Sequence, residues 1–296
     1  MSDPGEGRAL QALRDVLAPA GSLCVAFSGG VDSSLLLAVA VGALGAGNVT
    51  AVTAVSETYR EEELGRATEL TERLGVRHVV SHTSEMDDEC FSANPPERCY
   101  TCKSHLLDQL VAVAAAEGRA VLADGATCDD LGDYRPGMRA ADERGVRHPL
   151  LEAGFGKEDV RRLSRSLGLP TADLPAQACL ASRIPYGERI TPEKLRQVAQ
   201  AEDVLRELGF WPCRVRHHGS IARVEVEEAE LARAAGERRA QIVGRLRALG
   251  FTYVTLDLRG LRSGSMNEGL GAAGGLPAAP KYTAPGTPGD DRPKGR

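Results

Sequence analysis

Rings are scarce in this chain: Phe, Trp and Tyr make up 4% of 296 residues, with a single Trp. The core must therefore be built from Ala, Val and Leu. Few rings remain to stack on bases, which weighs against a platform for single-stranded nucleic acid. Basic excess is missing as well. Lys and Arg number 36 against 41 Asp and Glu, a net charge of −5, so no global field draws the chain to DNA, RNA or anionic lipid. No run approaches the roughly 20 apolar residues of a membrane span. The stretch MSDPGEGRALQALRDVL lacks the basic start and apolar run of a secretory signal. A cytoplasmic protein is the expectation. Its 7 cysteines, odd in number, are then core residues, reactive thiols or metal ligands rather than disulfide partners.

What is present is ordinary globular material, 42% hydrophobic and 26% charged. The length suits two domains at roughly 150 residues each. Helical patterns at residues 7–18, 35–44, 61–74, 102–117 and 157–167 alternate with strand patterns at 23–27, 49–55, 76–81 and 121–124. That rhythm predicts an α/β domain with a mostly parallel sheet over residues 1–185. Beyond it, a helix at 191–208, a hairpin around Gly219-Ser220, a helix at 228–249 and a strand at 253–258 predict a small α+β domain over 186–262. In the remaining segment, 263–296, 13 of 34 residues are Gly or Pro, which reads as a disordered tail.

Residues 28–34 run Ser28-Gly29-Gly30-Val31-Asp32-Ser33-Ser34, after a strand and into a helix. Two glycines let backbone approach a ligand, helix-start N–H groups point at it, and three hydroxyls add donors, so the segment reads as an anion site. Asp32 would repel a bare anion, which suggests a bridging cation such as Mg²⁺. The loop is neither a Walker loop nor a dinucleotide fingerprint. A second acidic loop, from Asp124 and Gly125 through Asp129 and Asp130 to Arg135, follows the fourth strand pattern. It could complete a Mg·nucleotide site or be a solvated Asp/Gly turn. Cys99-Tyr100-Thr101-Cys102 is a C-x-x-C that no second pair turns into a zinc site, and Cys179 stands alone downstream. On spacing alone the pair could be redox-active, cluster-ligating or incidental. Cys24 reads as core; Cys90, Cys128 and Cys213 have no assignment. Arg214 and Arg216 alternate on one strand and so share a face, which is either a phosphate clamp or a solvated side. Glu202 is a weaker candidate, and His217-His218 reads as structural or solvated.

The loop SGGVDSS in this setting resembles the PP-loop ATP pyrophosphatases, an adenine nucleotide alpha hydrolase-like, Rossmann-like fold. The segments NPPERCYTCK, DDLGDYRPG and LGLPTADLPAQACLASRIPYGERIT resemble the LarE-type branch of that superfamily, and the similarity spans about residues 8–260. The resemblance implies an ATP-dependent sulfurtransferase. It would adenylylate a carboxylate of pyridinium-3,5-biscarboxylic acid mononucleotide, release pyrophosphate and install sulfur for a nickel-pincer nucleotide. It implies ATP and pyrophosphate contacts from residues 28–34 and Gly125. Mg²⁺ would fall to Asp32 with Asp129 or Asp130, and substrate contacts to Ser182, Arg183, Arg214, Arg216 and Arg135. Two sulfur chemistries occur in that branch: sacrifice of the cysteine at position 179, or a 4Fe–4S cluster on three cysteines. Cys99, Cys102 and Cys179 fill all three positions, which points to the cluster, with one iron left open. Expected partners are a small nucleotide substrate, sulfide or another sulfur donor, other proteins of nickel-pincer cofactor synthesis, and further copies of the chain. The rival readings are a tRNA thiolase, an ammonia-using ligase and a nucleotide-sensing module.

Overall fold

Leu23, Val25 and Phe27 alternate with Cys24 and Ala26, and the two sets enter different apolar layers. That alternation buries both faces of a sheet. Its strands β1 (Leu23–Ala26), β2 (Val49–Val55), β3 (Arg77–His82) and β4 (Val121–Ala123) are all parallel, in the order β3-β2-β1-β4. The computed structural model describes residues 4–132, 136–175 and 178–262. Arg135 and the segment 263–296 lie outside the described residues.

One face is covered by α1 (Pro4–Leu17), α2 (Val31–Leu44) and α3 (Glu61–Leu74), through Leu13, Leu17, Leu35, Leu37, Ala67 and Leu70. The short α4 (Glu89–Ser92) leads to α5 (Arg98–Ala116). With α6 (Pro136–Asp142), α5 covers the other face through Leu107, Leu110, Ala140 and Ala141. Cys24 is fully buried in this second layer. The chain then returns to the first face with α7 (Pro149–Glu152) and α8 (Lys157–Ser166). The architecture is the α/β, Rossmann-like one expected, and it brings strand ends, α2 and the 124–132 loop to one edge.

The C-terminal part begins with α9 (Pro192–Glu207), whose Thr191 hydroxyl accepts the Lys194 N–H (3.3 Å) with proline at the first position. Strands β5 (Cys213–His218) and β6 (Ile221–Val226) form the antiparallel hairpin. After α10 (Leu231–Ala235) and α11 (Arg239–Ala248), β7 (Tyr253–Leu256) adds in parallel to β6. The helix expected over 228–249 is thus two helices, broken at Gly236, where a residue without a side chain makes helical continuity costly. A second correction concerns the C-x-x-C, whose helix starts at Arg98 rather than Cys102. Pro95-Pro96 cannot lie inside a helix, and the chain turns helical directly after them. A separate apolar cluster of Phe91, Leu180, Ile184, Ile190, Leu195 and Val198 joins α4, the 180–190 segment and α9. It anchors the segment that follows Cys179.

Candidate functional site

The loop 28–30 leaves β1 where the Phe27 N–H is held by the Val52 carbonyl (2.8 Å). Gly29 has φ 73°, and a Cβ there would meet the Glu63 carbonyl at 3.2 Å and Ala67 Cβ at 3.3 Å. The loop ties itself together. The Ser28 N–H donates to Ser33 Oγ (3.3 Å), Ser33 Oγ donates to the Gly30 carbonyl (3.2 Å), and the Tyr59 hydroxyl donates to the Ser28 carbonyl (2.9 Å). The first N–H groups of α2, from Val31 to Ser33, have no acceptor within the helix and face the strand ends. Ser34 Oγ is buried without a hydrogen bond.

Asp32 is the electrostatic centre of this edge. Its Oδ2 accepts from Lys157 Nζ (2.6 Å), while its Oδ1 is buried and unpartnered. The same ammonium is 3.8 Å from Asp130 Oδ2. Asp129 accepts the Lys157 N–H (2.5 Å) and so caps the start of α8. Asp130 accepts from the Thr127 N–H (2.8 Å) and hydroxyl (3.0 Å). Gly125 packs on the start of α2, where a Cβ would lie 2.9 Å from Ser33 N. Of the candidate cation ligands, Asp32 has a buried Oδ1 without a hydrogen bond, Asp129 caps α8, and Asp130 shapes the 127–130 turn through Oδ2. Among the described residues no group of three His, Cys, Asp or Glu converges as for a metal ion. A hard cation here would complete its six oxygens from phosphate and water, which is how Mg²⁺ is usually held at a nucleotide.

Cys99 and Cys102 sit in the first turns of α5, three residues apart and so on one side. Cys179 precedes the turn Leu180–Arg183. All three are free thiols; Cys99 and Cys179 are exposed and Cys102 is half-buried. Burial pushes the Cys102 thiol up, and the neighbouring Cys179, Glu85 and Cys99 push it further. A cavity of about 260 Å³ runs between the motifs. Ser28 of the loop, Cys102, Lys103, Glu85 and Cys179 all line it, over an apolar floor that includes Val52 and Ala54. Cys90 is exposed, Cys128 half-buried, and Cys213 is packed in the C-terminal core.

The arginines are less alike than their spacing suggests. Arg183 is 2% exposed and its fork holds Glu202 (Nε 2.7 Å, Nη2 3.2 Å); Nη1 donates to the Ala178 carbonyl and to Ser182 Oγ, each at 2.9 Å. Arg216 is filled by Glu225 (3.1 and 2.9 Å) and also holds the Ser182 carbonyl (2.9 Å). Arg214 donates to the Arg262 carbonyl (3.1 Å) and to no carboxylate among the described residues. Burial, then the charges of Arg216 and Arg183, hold its guanidinium below the usual arginine range. His217 is structural, bonded to Gln197 (3.0 Å) and edge-on to Phe251. Sequence reasoning missed Lys157, Lys103, Glu85, Tyr59 and Arg98. The signal for Lys157 and Arg98 was their position: each is a cation at a helix start, where the dipole favours anions.

A sequence model of the NAD synthase family matches residues 9–102, which contain the anion loop and the C-x-x-C. The pyridinium-3,5-bisthiocarboxylic acid mononucleotide synthase of Lactiplantibacillus plantarum is 43% identical over 248 residues, 83% of this chain and 89% of that protein. An uncharacterized protein of Synechocystis sp. is 44% identical over 262 residues, 88% of this chain and 97% of that one. The tRNA-specific 2-thiouridylase MnmA of Azorhizobium caulinodans is 30% identical over 226 residues, 61% of this chain and 56% of that protein. The anion loop is common ground for such PP-loop proteins, whereas the similarity to the mononucleotide synthase extends over nearly the whole described chain. The chain belongs to the LarE family of PP-loop enzymes, that of the pyridinium-3,5-bisthiocarboxylic acid mononucleotide synthase.

Proposed function

We propose that this enzyme spends ATP to activate a carboxylate of pyridinium-3,5-biscarboxylic acid mononucleotide and replaces its oxygen with sulfur, on the route to a nickel-pincer nucleotide. The observation that carries the reading is the shared cavity, with Ser28 of the anion loop in one wall and Cys102 and Cys179 in another. An acyl group activated at the loop is then met by sulfur without leaving the site.

The amides at the start of α2 and the hydroxyls of Ser28 and Ser33 hold the β- and γ-phosphates. Asp32, through its free Oδ1, would hold Mg²⁺, which offsets charge on the departing pyrophosphate. Lys157 fixes the other oxygen of Asp32 and adds positive charge beside the leaving group. A substrate carboxylate oxygen attacks the α-phosphorus, and the bond to the bridging oxygen breaks with its electron pair leaving on pyrophosphate. Hydrosulfide attacks the carbonyl carbon of the acyl-adenylate, and AMP departs with the C–O pair. Cys99, Cys102 and Cys179 would hold a 4Fe–4S cluster, which supplies an iron without a protein ligand where sulfide can bind. In such a cluster each thiolate takes a different iron, so the three need not meet at one ion.

We assign the nucleotide's phosphate to Arg214, with Ser182, Arg183 and Arg216 setting the shape of that corner. On this reading residues 1–185 bind ATP, and residues 186–262 bind substrate and carry self-association. Free thiols fit the reducing cytoplasm. No helix among the described residues is long and apolar enough to cross a membrane.

The test is mass spectrometry of an anaerobic reaction containing iron- and sulfide-reconstituted protein, Mg·ATP, sulfide and the biscarboxylate mononucleotide. Thiocarboxylate in excess of protein, at unchanged polypeptide mass, is the expected result. Stoichiometric product with a chain lighter by one H₂S would make Cys179 the sacrificed donor. Absence of thiolated mononucleotide, with sulfur appearing in tRNA when a parallel reaction supplies tRNA in its place, would overturn the substrate assignment. Asp32→Ala is expected to stay folded and lose pyrophosphate release; full release would remove Asp32 from the metal site.

A further inference from the structure

Arg98 is 3% exposed, and among the described residues no carboxylate pairs with it. Arg183 and Arg216, equally buried, each carry one. A buried guanidinium without a counter-ion is costly, so its surroundings must supply negative charge in another form. Its Nη1 donates to Asn94 Oδ1 (2.6 Å) and to the Ala181 carbonyl (3.0 Å), and its Nη2 points at Cys99 Sγ (3.8 Å). The cation therefore bridges the C-x-x-C and the turn that follows Cys179.

Asn94 completes the arrangement. It is fully buried at φ 58°, a conformation asparagine tolerates better than most residues. Its Nδ2 donates to the carbonyls of Ile184 (3.2 Å), Pro185 (2.7 Å) and Glu188 (3.0 Å), and its own carbonyl accepts the Gly187 N–H (2.9 Å). Every one of these bonds joins the approach to α5 with the segment that follows Cys179.

We propose that Asn94 and Arg98 form a bracket that holds the C-x-x-C turn and the Cys179 segment at one site, and that Arg98 is the counter-charge and hydrogen-bond donor for the thiolates gathered there. The second half rests on the reading that the three cysteines hold one cluster; the first half does not. Arg98 is thus a positioning residue. The thiolates of a three-cysteine cluster bring net negative charge into a half-buried site, and a fixed guanidinium lowers the cost of holding it.

The experiment has two readouts on the full chain. Without iron, a short bis-maleimide should link Cys99 or Cys102 to Cys179, identified as joined peptides, and Arg98→Met should cut that yield severalfold at unchanged circular dichroism. After anaerobic reconstitution, wild type should hold about four irons per chain. Arg98→Met should lose iron, and the cluster it retains should have a more negative midpoint potential. Arg98→Lys keeps the charge and should restore the potential toward wild type while leaving the cross-link yield low. Asn94→Ala should lower the cross-link yield without moving the potential of whatever cluster forms. Wild-type cross-linking together with wild-type iron and potential in Arg98→Met would overturn the proposal. A wild-type chain that cross-links in an Arg98-dependent way yet takes up no iron would uphold the bracket and sink the cluster reading alone.

Discussion

The three glycines beside the start of α2 are glycines for different reasons, and the reasons can be told apart. Gly125 lacks a side chain because a Cβ would press to 2.9 Å from Ser33 N and 3.2 Å from Asp32 Cβ. Gly125→Ala must push the start of α2 away, at a cost of about 1–3 kcal/mol. Displacing anion-facing amides should also slow pyrophosphate release at least about tenfold. Gly29, at φ 73° and tight against Glu63 and Ala67, is expected to be destabilised by Ala as well. Gly30 is the contrast. It has an ordinary φ of −80°, and its Cβ would touch Ser28 Oγ at 3.4 Å, an unstrained distance. Folding does not require glycine there, so its missing side chain reads as room for a ligand. Gly30→Ala should unfold at the wild-type denaturant midpoint yet lose pyrophosphate release. Unfolding curves and a coupled pyrophosphate assay on the three variants check this; a Gly30→Ala protein of wild-type activity would refute it.

The end of β4 shows a different device, a charge lock. His148 is buried with Nδ1 2.6 Å from Asp124 and Nε2 3.2 Å from Asp142. Burial alone would lower its pKa, but its two aspartate partners raise it above the ordinary 6.5. The stability it adds is fully present below 6.5 and is lost as pH rises through the folded value. Asp124 runs the other way. Burial raises it, while His148 and Lys103 bring it below the ordinary 3.8, so its contribution is present above 3.8 and lost as pH falls through the folded value. The lock is strongest between those limits. His148→Gln should therefore lose most stability relative to wild type at mildly acidic pH and progressively less toward alkaline pH, as read by denaturant unfolding across pH. At this scale the sheet was legible: period-two alternation in β1 and the strand–glycine–helix order of residues 26–34 needed only local rules. The forks of Arg183 and Arg216 were not, because Glu202 and Glu225 reach them through packing that no spacing rule reports. Lys157 and Arg98 were half-legible. Each breaks the charge preference of its own helix start, which signals use by something outside the helix.

For the molecule as a whole, one buried carboxylate gathers bonds from both halves. Glu202 of α9 is 3% exposed and receives Arg183, Arg60 at the start of α3, and the Val215 N–H of β5 (3.1 Å). Arg183 in turn holds the Ala178 carbonyl and Ser182 Oγ on either side of Cys179 (2.9 Å each). Val215 lies between Arg214 and Arg216. Burial would raise the Glu202 carboxyl, but Arg183 and then Arg60 hold it below the usual glutamate range. Removing the charge strands the buried Arg183 guanidinium, while Arg60 keeps Asp203 (3.3 Å), a loss of about 3–5 kcal/mol by the usual cost of breaking a buried pair. The consequences for the two proposed chemical steps differ. The anion loop and the Asp32–Lys157 pair make no bond to Glu202, whereas the Cys179 segment and the strand of Arg214 hang from it. Glu202→Gln, which keeps the shape and removes the charge, should preserve ATP binding while sulfur transfer fails. Pyrophosphate release should then exceed thiocarboxylate formation, because the acyl-adenylate is hydrolysed before sulfur reaches it. Measuring both products in one reaction decides the matter: a ratio that stays at the wild-type value in Glu202→Gln would mean that Glu202 holds the fold together without linking activation to transfer.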